Sequence, residues 1–211
     1  MADRSRSRGA LTQRFEQALI NACHVHGGQT RKKTAIPYVG HLLGVASLVI
    51  EDGGDEDEAV AALLHDAVED QGGAPRLADI LARFGGRVAR IVEGCSDADN
   101  VPKPEWLDRK RRHIRHLRAA QADVLRVSCA DKLHNARAIL ADHVKHGDPL
   151  FERFNGRKAG TLWHYACLVN VFKAVGPKRL AAELEQVVRE LSDRAAPGLA
   201  WPASERTRPA P

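Results

Sequence analysis

The chain has 211 residues, 44% hydrophobic and 28% charged, with a formal charge of +5. That length suits one domain with a sizeable core. No run nears the roughly 20 apolar residues of a membrane span, and the charged N-terminus lacks the apolar stretch of a secretory leader, so a cytoplasmic protein is expected. The four cysteines (Cys23, Cys95, Cys129, Cys167) form no C-x-x-C pair and sit at apolar helical positions, which reads as core thiols and not as a zinc knuckle.

In chain order, residues 1–9 are Arg/Ser-rich and read as a disordered basic tail. Residues 10–194 carry the helical period of i, i+3, i+4, i+7 and form the domain. Phe15, Ala18, Leu19 and Ala22 make the first apolar stripe. Val39, Leu42, Leu43, Ala46, Val49 and Ile50 make the second, behind Pro37, which suits a helix's first turn. Residues 57–70 are apolar nearly all round and predict one buried helix. Two shorter helices follow on either side of Gly85-Gly86, then a basic one over about 104–120. Further helices are predicted over 123–141, 161–175 and 177–193. The stretch 142–160, with Gly147, Pro149, Asn155 and Gly156, reads as the longest internal loop, a length that often marks function. Residues 195–211, carrying four prolines, read as a disordered tail. No repeat and no convincing strand is present, and an all-α bundle of about eight to ten helices is expected.

The chemistry concentrates in Leu63-Leu64-His65-Asp66-Ala67-Val68-Glu69-Asp70. A helix repeats its face every three to four residues, so His65 lies over Glu69 and Asp66 over Asp70. Burying such groups is costly unless they are paired or bind a cation; the plain alternative is an exposed polar helix end. His41, among Val39, Leu42 and Leu43, would alone suit a core histidine. Asp131, flanked by Cys129, Ala130 and Leu133, again requires a partner. Two imidazoles and two carboxylates could converge on one divalent ion, and mixed N/O ligation suits Mn²⁺, Fe²⁺ or Zn²⁺ better than Ca²⁺.

The order H…HD…D, realised as His41, His65-Asp66 and Asp131, resembles the HD superfamily of helical metal-dependent phosphohydrolases. Five words in order are more specific: Gly28-Gln29-Thr30-Arg31-Lys32, Pro37-Tyr38 with His41, Leu64 to Asp70, Phe84-Gly85, and Ala130-Asp131-Lys132-Leu133-His134-Asn135. Together they are similar to the hydrolase domain of RelA/SpoT-type proteins and to small alarmone hydrolases, over about residues 10–140. The resemblance implies an HD-domain bundle that uses Mn²⁺ to remove the 3′-pyrophosphate of ppGpp or pppGpp. It implies metal ligands at His41, His65, Asp66 and Asp131. It implies an acidic pair, Glu69 and Asp70, that positions and deprotonates the attacking water, and nucleotide contacts at Arg31, Lys32 and Asn135.

On the basic helix, Lys103 and Arg109 are candidates to reach phosphates. The aromatics of a single-strand platform are absent there except for Trp106, so the expected partner is a small nucleotide, not nucleic acid. Trp163-His164-Tyr165 reads as core. The chain departs from the family at Gln71, where many members have Thr, at Lys32 to Ile36, and in 142–160. Two other readings stand beside the main one: an HD-type phosphohydrolase of another nucleotide, such as an adenine alarmone or NADPH, and a catalytically silent helical module. Self-association into a homo-oligomer is left open.

Overall fold

The computed structural model describes residues 10–96 and 105–206. Among them are ten α-helices, one 3-10 turn, and no pairing of β type beyond an isolated bridge between Thr30 and Pro37. In chain order the helices are α1 (Gln13–Val25), α2 (Val39–Glu51), α3 (Glu56–Leu64), α4 (Ala67–Asp70), α5 (Gly73–Phe84) and α6 (Gly86–Cys95). They continue with α7 (Trp106–Arg118), α8 (Ala122–His146), the 3-10 turn Asp148–Arg153, α9 (Arg157–Val175) and α10 (Lys178–Ala195). No helix among the described residues is long and apolar enough to cross a membrane.

The centre of the bundle is α3, which packs against α1, α2, α6 and α8. Every residue from Glu58 to Leu64 is buried, as the all-round apolar sequence requires. Its start is closed by a capping box in which Asp55 accepts from the Glu58 N–H and Glu58 from the Asp55 N–H. Glu58 is itself buried, and its carboxylate is held by Arg126 of α8, which also reaches Asp52 at 3.1 Å. A lone carboxylate at that depth would be costly; the guanidinium offsets it.

The single helix expected over 57–70 is two. The chain turns at His65-Asp66, so α3 ends one residue before the dipeptide and α4 begins one residue after it. The expected loop 142–160 is largely ordered structure. Helix α8 runs on to His146 and stops at Gly147, whose φ of 65° is a left-handed conformation open to glycine. Leu150 and Phe151, both 2% exposed, then anchor the 3-10 turn in the core, and α9 starts four residues after it.

Residues 196–206, expected to be structureless, lie against the bundle. Trp201 Nε1 donates to Asn170 Oδ1 at 3.0 Å, Asn170 Nδ2 donates to the Pro202 carbonyl at 2.9 Å, and Arg118 pairs with Glu205 at 2.8 Å. Prolines discourage helix and strand, but they do not prevent docking when an aromatic ring and its N–H find a site. Cys129 and Cys167 are buried as expected, Cys95 is half-buried, and Cys23 is exposed on α1 instead of lying in the core.

Candidate metal centre and its cationic cavity

Four side chains from three parts of the chain meet at one point. His41 comes from the first turn of α2, His65 and Asp66 from the α3–α4 junction, and Asp131 from the middle of α8. His41 Nε2 lies 3.2 Å from Asp131 Oδ1 and 3.5 Å from Asp66 Oδ2. His65 Nε2 lies 3.0 Å from Asp66 Oδ2 and 3.7 Å from Asp131 Oδ1. The turn at His65-Asp66 is what allows this, because adjacent residues on a regular helix point about 100° apart.

Both imidazole Nε2 atoms are buried and neither has a partner in hydrogen-bonding geometry, although carboxylate oxygens surround them. Nitrogen lone pairs and carboxylates that point at a common centre, without bonding one another, are what a cation requires. His41, His65 and Asp66 each offer a donor atom within 4.8 Å of the others. This donor set fits a divalent metal.

The far side of each ring fixes which nitrogen is available. His65 Nδ1 donates to the Ala62 carbonyl at 2.8 Å, leaving Nε2 with its lone pair toward the site. His41 Nδ1 lies 2.9 Å from Nδ1 of His134, one turn beyond Asp131 on α8. Burial and the neighbouring His41 lower the His134 pKa to about 4, so it is neutral and can accept the His41 Nδ1–H. Space for the His134 ring comes from Gly44 on α2: a Cβ there would stand 2.3 Å from His134 Cδ2.

The carboxylates are held charged. Burial opposes ionisation of Asp66, but His65 and His41 beside it hold its pKa well below the usual range. Burial likewise opposes ionisation of Asp131, which is overcome by Lys132, whose Nζ sits 2.6 Å from Oδ2. Burial disfavours a charged His65, yet Asp66 and Asp131 raise its pKa well above the ordinary imidazole value in the metal-free state. Tyr38 O–H donates to Asp66 Oδ2 at 2.6 Å, a further tie on that carboxylate.

The other sequence candidates fall into two groups by their contacts. Arg31 Nη2 donates to Asn135 Oδ1 at 2.6 Å, and Asn135 Nδ2 donates to Asp131 Oδ1 at 2.5 Å. The Arg31 guanidinium also lies 5.8 Å from the Tyr38 ring centroid. In the second group, Lys32, Glu69 and Arg109 share the wall of a cavity of about 280 Å³ with Lys110 and Lys132. Trp106, His164 and Tyr165 also line it, so two of the residues read as core border this space. Both Glu69 and Asp70 are exposed, and Asp70 Oδ2 accepts from Gln29 Nε2 at 2.8 Å. Lys103 lies outside the described residues.

Sequence reasoning missed four contributors: Tyr38, Lys132, His134 and Lys110. Tyr38, Lys132 and His134 stood inside the quoted words, but nothing in the spacing says that Tyr38 reaches a residue 28 positions on. Lys110 is one of several arginines and lysines around α7, and only the fold selects it.

Comparisons with known proteins identify the family. An HD-domain family model matches residues 18–156. The chain is 38% identical over 132 residues to the mouse guanosine-3′,5′-bis(diphosphate) 3′-pyrophosphohydrolase MESH1, covering 61% of this chain and 71% of that one. It is 33% identical over 130 residues to the Escherichia coli bifunctional (p)ppGpp synthase/hydrolase SpoT, covering 60% of this chain but only 18% of SpoT. The solved structure of a metazoan SpoT ortholog, described as hydrolysing ppGpp, superposes with a TM-score of 0.65 over 86% of this chain and 97% of that one; at 24% identity this is a likeness of fold. This chain belongs to the HD-domain family, in the group that includes MESH1 and SpoT.

Proposed function

We propose that this protein hydrolyses the 3′-pyrophosphate of guanosine alarmones, converting ppGpp or pppGpp to GDP or GTP and pyrophosphate in the cytoplasm. The observation that carries this reading is the pair of buried, unpartnered Nε2 atoms of His41 and His65 facing Asp66 and Asp131, beside a cavity bordered by several cations. The substrate class is supported by the names of the relatives. His41, His65, Asp66 and Asp131 would hold Mn²⁺, with Fe²⁺ or Zn²⁺ compatible with the same donors. When bound, the metal lowers the pKa of water and neutralises phosphoryl charge.

The chain's own residues supply the rest. Lys32, Arg109, Lys110 and Lys132 offset the charge of the pyrophosphate in the cavity, with the planar fork of Arg109 able to grip two oxygens. Arg31 and Asn135, hydrogen-bonded to each other and through Asn135 to Asp131, would meet the nucleoside end. Glu69 and Asp70 follow the ligand pair in the chain and would act together as the acidic pair that positions the attacking water and takes its one proton. Hydrolysis then forms one P–O bond from water, breaks the bond to the ribose 3′-oxygen and returns a proton to it.

The test is pyrophosphate release from ppGpp by purified protein with Mn²⁺, set against a panel containing NADPH and adenine alarmones. His65→Ala and Asp131→Ala are expected to lose both metal and turnover. Turnover of another nucleotide but not ppGpp would replace the substrate assignment, and inertness toward the whole panel would leave a silent binding module.

A further inference from the structure

The hydrogen bonds around Asp70 lead away from the metal centre into the segment that follows α1. Gln29 Nε2 donates to Asp70 Oδ2 at 2.8 Å. On its other side, Gln29 Oε1 accepts from Gln71 Nε2 at 2.7 Å and lies 2.7 Å from His26 Nδ1. A carboxylate can only accept, so the Gln29 amide has one satisfying orientation: NH₂ toward Asp70, carbonyl toward Gln71 and His26. His26 is 3% exposed and stacks on Tyr38 with centroids 5.3 Å apart. Tyr38 in turn donates to Asp66 at 2.6 Å. One buried ring therefore braces two carboxylates, Asp66 through Tyr38 and Asp70 through Gln29.

Asp70 needs such support. It ends a four-residue helix, is exposed, and is followed by Gly72 and Gly73, both at positive φ. Left alone, its side chain would sample several rotamers, and a misplaced proton acceptor loses rate steeply. Gln71 is long enough to bridge to a residue 42 positions away, which the Thr suggested by the family resemblance at this position would not span in the same way.

We propose that Gln29 and Gln71 are positioning residues: Gln29 holds the Asp70 carboxylate in its reactive orientation, and Gln71 acts by locking the Gln29 amide. This rests on the assignment of Asp70 as a proton acceptor. Gln29→Met and Gln71→Met keep side-chain length while deleting the hydrogen bonds. With ppGpp and saturating Mn²⁺, Gln29→Met is expected to lower kcat about tenfold and Gln71→Met about threefold, with KM and bound metal unchanged. Because Gln71 acts only through Gln29, the double variant should be no slower than Gln29→Met, an outcome that a merely structural contribution would not produce. Asp70→Asn is the reference. If Asp70→Asn is inactive while Gln29→Met keeps full kcat, or if the two losses multiply, the clamp is wrong. If Asp70→Asn itself keeps full kcat, the assignment of Asp70 fails and the clamp with it.

Discussion

Replacing Gly44 by Ala tests how the centre is held together. Gly44 lies in the interior of α2, where alanine is favoured over glycine by about 1 kcal/mol on helix propensity alone. The added Cβ, however, would stand 2.3 Å from His134 Cδ2 and 2.4 Å from Nε2. Ordinary carbon contacts begin near about 3.5 Å, so the ring must retreat by roughly 1 Å or more. Its Nδ1 is 2.9 Å from His41 Nδ1, and a retreat of that size breaks the bond. Overpacking costs about 1–3 kcal/mol, so stability should end between unchanged and about 2 kcal/mol lower. Loss of the partner behind a metal-binding histidine typically costs about 10–100-fold in affinity.

The assay is Mn²⁺ binding in competition with a chelator, alongside urea unfolding of the metal-free protein. Gly44→Ala should bind Mn²⁺ at least tenfold more weakly. In the His134→Ala background the same change should stabilise by about 1 kcal/mol, because the obstructing ring is gone. Unaltered Mn²⁺ affinity in Gly44→Ala would show that His134 does not support His41.

Two further outcomes are expected. His65 is charged in the metal-free state at pH values where an ordinary imidazole is neutral, because Asp66 and Asp131 raise its pKa. Metal must displace that proton, so Mn²⁺ affinity should climb with pH and keep climbing above pH 6.5, read as apparent Kd against pH; a plateau already reached at pH 6.5 would contradict it. Separately, Gly156→Ala places a Cβ 2.5 Å from Cζ2 of Trp106, although its φ of −77° suits alanine. The unfolded-state gain of about 0.4–1 kcal/mol is outweighed by an overpacking cost of about 1–3 kcal/mol. The variant should therefore unfold at lower urea and show a raised KM, since Trp106 borders the cavity.

Reading the sequence locates most of the helices and the four residues that meet at the centre, because periodicity and unusual polar residues on apolar faces are local signals. What escapes it is decided by tertiary contact. The turn at His65-Asp66 carries no breaker; it forms because Asp66 has partners at His41, His65 and Tyr38 that a straight helix could not give it. Gly147 and Gly156 read as loop signals but act as helix boundaries, and two apolar residues between them, Leu150 and Phe151, are too few to show a period although both are buried. Lys132 illustrates the same limit: adjacent helical residues face different ways, yet its long stem returns to Asp131 at 2.6 Å. Arg31 and Asn135 are separated by 104 positions, so their hydrogen bond could not be read from either.

The burial of α3 on every side has a consequence for how the protein breathes. Local openings release elements with few neighbours, whereas an element enclosed by α1, α2, α6 and α8 is freed only when the whole bundle opens. The amides of Ala59 to Leu64 should then exchange with solvent deuterium at the rate set by global unfolding, far more slowly than those of residues 196–206. His65 and Asp66, attached directly to the end of that helix, should inherit its protection, so the dipeptide is rooted in the unit expected to exchange most slowly while Glu69 and Asp70 sit just past it on a short, solvent-facing turn.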